Sequence, residues 1–153
     1  MQKEIFDFIR NIKVPAFPEE IVRQELLCKM VHNLQFPKSY LSVEKDLSSL
    51  PHLENTNFNS KNRRADIICF AKNISEKFPL YPLLMIECKA IPLTNDVIDQ
   101  VLGYNHFVKA FFVAIANKDE IFTLWYDQRE KGYKKIDFLP NYKQMLLAAK
   151  KIT

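Results

Sequence analysis

Pro82-Leu83-Leu84-Met85-Ile86-Glu87-Cys88-Lys89-Ala90 is the most apolar run of the chain, and it ends in charge. Up to Glu87 both faces of such a strand would be apolar, the pattern of a central strand covered on both sides. Glu87 and Lys89 lie two apart, so on a strand they project to one face. Burying such a pair is costly. The strand end is therefore expected to open into a cleft, or its charges to be paired or to bind metal. Residues 64–70 form the preceding apolar strand, Arg64-Ala65-Asp66-Ile67-Ile68-Cys69-Phe70, with Asp66 near its start. An antiparallel neighbour sets the start of one strand beside the end of the next, so Asp66 is expected to meet Glu87.

Two converging carboxylates make a hard-oxygen site suited to Mg²⁺ (or Mn²⁺). Lys89 beside it could polarise a water or neutralise charge developing on a phosphorane. These are the parts for phosphodiester hydrolysis. Plainer readings of the same residues stand beside this one. Asp66 could pair with Arg63 or Arg64, and Glu87 with Lys89 in a cross-strand salt network. Lys61, Arg63 and Arg64 could contact phosphates or sit in a solvated loop.

Outward from this pair, residues 3–12 place Ile5, Phe8, Ile9 and Ile12 on one helical stripe, which predicts a first helix. Pro15 and Pro18 break the chain. A helix over 18–34 follows, with Pro18 at its start, Glu19 and Glu20 at the positive end of its dipole, and Leu27, Met30, Val31 and Leu34 as its apolar stripe. Residues 39–45 alternate as a strand, 46–62 read as a loop, and 71–79 as a polar turn region. Thr94 can cap a helix running to about residue 109. Strands are expected at 111–116, 121–126 and 135–138, the first two joined through the turn at 117–120, and a helix at 141–151. The order predicts an α/β fold in three layers, a mixed β-sheet flanked by helices.

The chain has 153 residues and a mass of 18.0 kDa, which reads as a single domain over 1–153. It is 48% hydrophobic and 26% charged, which excludes a disordered tail or a fibre. Only two glycines, Gly103 and Gly132, are present, so no glycine-rich nucleotide loop exists and no nucleotide cofactor is expected. The net charge of +4 is a mild excess compatible with nucleic acid. Cys28, Cys69 and Cys88 are odd in number and have no C-x-x-C spacing, which suits a reducing compartment. The start, Met1-Gln2-Lys3-Glu4, carries an acid where a secretory signal is apolar. No apolar stretch reaches about 18 residues, so no membrane span is expected and a cytoplasmic location is. Cys28 and His32 are four apart, but no second pair completes a zinc site. His52 and His106 have no Ser or Cys partner at a recognisable spacing.

The chain resembles the PD-(D/E)xK nucleases of restriction-endonuclease-like fold. More narrowly, it is similar to the small stand-alone branch of the type I restriction enzyme R-subunit N-terminal nuclease family. The resemblance runs through Val22-Arg23-Gln24-Glu25, Val43-Glu44-Lys45, Arg63-Arg64-Ala65-Asp66-Ile67, Ile86-Glu87-Cys88-Lys89-Ala90 and Gln100-Val101-Leu102-Gly103-Tyr104-Asn105. It implies a DNA endonuclease with Asp66 and Glu87 as metal ligands, the Cys88 backbone carbonyl completing the site, and Lys89 orienting the attacking water. Gln100 would lie near the scissile region. Tyr104 is one helical turn away and can share its face. Glu25 matches an acidic residue of the first core helix that supports a second metal or its waters. Two departures stand out: Asn117-Lys118 where the family often has Asn-Gly, and Gly103 where it often has Arg. DNA is the expected partner, with a homodimer or a protein partner as further expectations. A non-catalytic nucleic-acid-binding or assembly module retaining the fold is the alternative.

Overall fold

The computed structural model describes residues 2–53 and 64–152. Six strands form one mixed sheet in the order β3-β4-β5-β6-β7-β8: β3 (Leu41–Asp46), β4 (Arg64–Lys72), β5 (Leu80–Cys88), β6 (Phe112–Ala116), β7 (Ile121–Asp127) and β8 (Gly132–Ile136). All neighbours are antiparallel except β5 and β6, which run parallel. The helix α2 (Asn95–Val108) joins that parallel pair, as a parallel connection requires. One face of the sheet packs on α1 (Pro18–His32) and α3 (Tyr142–Ile152) through Leu27, Met30, Met145 and Ala149. The other face packs on α2 through Ile98, Val101 and Val108. This is a restriction-endonuclease-like three-layer α/β fold, with β5 inside the sheet as its apolar run predicts.

α1 begins on Pro18, whose missing N–H is harmless in the first turn. Leu27 and Met30 of the expected stripe are fully buried. Two charged residues of the same helix, Glu20 and Arg23, are buried as well. α2 starts with the Thr94 hydroxyl accepting the Val97 N–H at 3.4 Å. It ends where Lys109 turns left-handed (φ 58°). The Asn105 side chain then holds Ala110 from both sides, donating to its carbonyl at 3.1 Å and accepting its N–H at 2.9 Å.

Residues 3–12 are not a helix. They form a hairpin, β1 (Glu4–Asp7) and β2 (Ile12–Pro15), with Asp7 opposite Ile12. The buried Asp7 carboxylate accepts the N–H groups of Ile9 and Arg10, and Asn11 is left-handed (φ 59°). This turn chemistry overrides the helical spacing of the apolar residues. The expected loop after β3 contains two short 3-10 turns, Leu47–Ser49 and Pro51–Leu53, which bury Leu47, Leu50 and Leu53. The last strand lies earlier than expected. Asp127 accepts the Arg129 and Glu130 N–H groups and closes a turn just before Gly132.

Candidate active site

Asp66 and Glu87 meet where β4 begins and β5 ends. The antiparallel register, with Ile67 opposite Ile86, brings them side by side. The Asp66 N–H lies 3.4 Å from Glu87 Oε1, and the Cys88 N–H donates to Asp66 Oδ2 at 2.8 Å. Burial pushes the Asp66 carboxyl above its usual range, although the Cys88 N–H and Arg23 pull against it. Burial, then the charge of Asp66, pushes Glu87 up to about 8. Both shifts favour a proton on the pair in the absence of a cation.

Lys89 is half-buried just beyond the strand, its backbone N–H donating to the Ala116 carbonyl at 2.8 Å. Its ammonium is near enough to favour the ionised form of Glu87. Among the described residues it forms no ion pair.

Asp66 has a partner that sequence reasoning missed. Arg23 of α1 places Nη1 3.5 Å from Asp66 Oδ1 and donates from the same nitrogen to Glu44 Oε1 at 2.8 Å. Its Nε donates to Glu20 Oε2 at 2.7 Å, and Nη2 reaches the other Glu20 oxygen. Arg10 of the hairpin turn bridges Glu20 (3.1 Å) and Asp7 (2.6 Å). An alternating row of charges thus runs from the hairpin to Asp66. Burial works against the charges of Asp7, Glu20 and Arg23. For Asp7 and Glu20 the surrounding donors outweigh it and hold the carboxyls below their ordinary range. For Arg23 the Glu20 and Glu44 hydrogen bonds outweigh it and hold the guanidinium protonated.

The remaining expected residues lie elsewhere or apart. Gln100 is exposed on α2, and its side chain makes no hydrogen bond among the described residues. Tyr104 is half-buried against the α2 core. Glu25 is exposed on α1 and lines a surface depression of about 290 Å³ with Lys29, Lys118 and Glu120. The acid of α1 that reaches Asp66, through Arg23, is Glu20. Arg64 is exposed and donates to the Glu44 carbonyl at 3.2 Å rather than to Asp66. Lys61 and Arg63 lie outside the described residues. A larger concavity of about 1430 Å³, lined by His52, Phe78, Tyr81 and Trp125 among others, holds none of the expected site residues. Tyr81 is six residues before Glu87 on the same strand, roughly 20 Å away.

The family described as the type I restriction enzyme R protein N terminus (HSDR_N) matches residues 18–140, and the chain belongs to it. No match was found among curated proteins, and none among solved structures. The matched segment spans α1 through β8 and contains Arg23, Glu44, Asp66, Glu87 and Lys89.

Proposed function

We propose that this chain is a divalent-cation-dependent endonuclease domain acting on DNA in a restriction context. The observation that carries the reading is the Asp66–Glu87 pair, half-buried where β4 begins and β5 ends, with Lys89 two residues on. Its chemistry fits a cation. The donors are oxygens, and a divalent ion would favour the ionised form of both carboxyls against the burial that raises them. Among the described residues no three His, Cys, Asp or Glu side chains converge on one point. The proposed set is two side chains with the Cys88 carbonyl.

When bound, Mg²⁺ or Mn²⁺ would supply Lewis-acid stabilisation of charge at the phosphate. The chain's own residues do the rest. Asp66 is fixed by the Cys88 N–H, so its orientation is set before substrate arrives. The Lys89 ammonium, which forms no ion pair among the described residues, is available to orient a water or to meet negative charge on the phosphate. Gln100 and Tyr104 on α2 and Arg64 on β4 are proposed to contact DNA, with Lys61 and Arg63 alongside.

The test is incubation of purified protein with supercoiled, linear, branched and single-stranded DNA in Mg²⁺ or Mn²⁺. Lys89→Ala and Asp66→Asn are run in parallel. Cleavage is expected from the wild type and to fall by roughly 10²–10⁴-fold in either variant, with circular dichroism unchanged. Cation-independent DNA binding with no product from any of the three would favour a non-catalytic binding module.

A further inference from the structure

Three carboxylates from three elements bond the Arg23 guanidinium, which holds them apart rather than gathered on one point: Glu20 of α1, Glu44 of β3 and Asp66 of β4. Carboxylate oxygens are the donors a hard divalent cation takes, yet here a tethered cation stands between them. We propose that Arg23 is the built-in second cation of the site, so that the site takes one divalent ion, on Asp66 and Glu87, and no second beside it. The inference rests on the cation reading of Asp66 and Glu87 given above.

Burial supports it. The Arg23 side chain is 7% exposed and that of Glu20 9%, so mobile ions do not replace the guanidinium at will. The charge balance supports it independently. Asp7, Glu20, Glu44, Asp66 and Glu87 face Arg10, Arg23 and Lys89. With all ionised, these side chains carry a net charge of −2, which the exposed Arg64 at the Glu44 carbonyl reduces to −1, so one divalent ion suffices to neutralise them. Glu19 is near enough to act on Cys88, but it is exposed and water screens it.

The backbone is also arranged for this contact. The β3–β4 ladder pairs Val43 with Ile67 and Lys45 with Ala65, which leaves Glu44 opposite Asp66. At that point Glu44 is left-handed (φ 57°), a conformation rare for a side chain other than glycine and found where function over-determines the backbone. The kink breaks the ladder beside Asp66, and the Glu44 carboxylate bonds Arg23.

The experiment counts Mn²⁺ bound to chelator-treated, DNA-free protein by electron paramagnetic resonance, up to millimolar Mn²⁺. One ion per chain is expected in the wild type, with affinity at least ten-fold weaker in Asp66→Asn. A second ion is expected in Arg23→Gln, and one in Arg23→Lys, which restores the charge. Two ions in the wild type, or one in a folded Arg23→Gln protein, overturn the role given to Arg23 while leaving the cation reading intact. If Arg23→Gln does not fold, two ions in Arg23→Lys overturn it equally. No bound ion in the wild type overturns the cation reading itself.

Discussion

Arg23 is separated from Glu44 by 21 residues and from Asp66 by 43. No spacing rule links residues so far apart. Arg23 and Glu44 both stand in the stretches that carry the family resemblance, but as letters of a pattern, with no partner attached. Asp66, Glu87 and Lys89 were legible because an apolar strand ending in charge is a local anomaly. Glu25 is the supporting acid that the resemblance implies, and α1 leaves it exposed. The buried arginine has an energetic consequence. Arg23→Met leaves the Glu20 carboxylate buried without its bidentate partner, and removing one member of a buried pair costs about 3–5 kcal/mol. Replacing Glu20 as well, in Arg23→Met/Glu20→Met, removes the stranded charge and is expected to cost less than the sum of the two single changes. Urea denaturation of the four proteins in chelator measures the coupling. Strict additivity would mean that Arg23 and Glu20 do not depend on each other.

The elements were read from periodicity, and they held wherever periodicity and turn chemistry agreed. β5 shows it: a long apolar run with Glu87 at its end, sited between β4 and β6. The hairpin of β1 and β2 shows the converse, since apolar residues at helical spacing lost to the Asp7 turn. α2 carries two residues whose roles the sequence only half showed. Gly103 stands where the family often has Arg. In the structure it is exposed, its φ is not positive, and a Cβ there would meet nothing within 4 Å. Gly103→Ala is therefore expected to raise stability by roughly 0.5–1 kcal/mol, the usual helical preference. Asn105, the last residue of the same motif, is expected to behave oppositely. Asn105→Ala leaves the Ala110 N–H and carbonyl without their partner, at about 1–3 kcal/mol for a stranded buried group. Thermal melts of the two variants should move in opposite directions. A destabilised Gly103→Ala would show a need for glycine that the packing does not explain.

At the scale of the whole molecule, the sheet sets the Asp66–Glu87 pair at one end and the termination of α2 toward the other. His52, from the short turn at Pro51–Leu53, hydrogen-bonds through Nε2 to the carbonyl of Val108, and Tyr81 donates to that of Lys109 at 2.7 Å. These long-range ties were invisible in the sequence, where His52 is one histidine in a presumed loop. Burial, aided by the charge of Lys109, holds the His52 imidazole below its ordinary 6.5, although its bond to Val108 opposes this. The unfolded chain then binds the proton more readily than the folded one, so stability falls as pH drops through about 6.5 toward the folded value. Asp7 and Glu20, whose carboxyls are held below their ordinary 3.8 and 4.5, add a second loss below about pH 4.5 by the same sign. Glu87 runs the other way in cation-free protein, because its carboxyl is raised, so a single curve mixes the effects. The difference between wild type and His52→Gln, which keeps a donor for Val108 and removes the titration, isolates the histidine. Measured by urea denaturation from pH 8 to pH 5, the wild type should lose stability relative to the variant only below about pH 6.5, while the slope of the transition with urea stays the same. A constant gap between the two proteins across that range would show that His52 keeps its proton affinity on folding and that its burial at the end of α2 costs the charged form nothing.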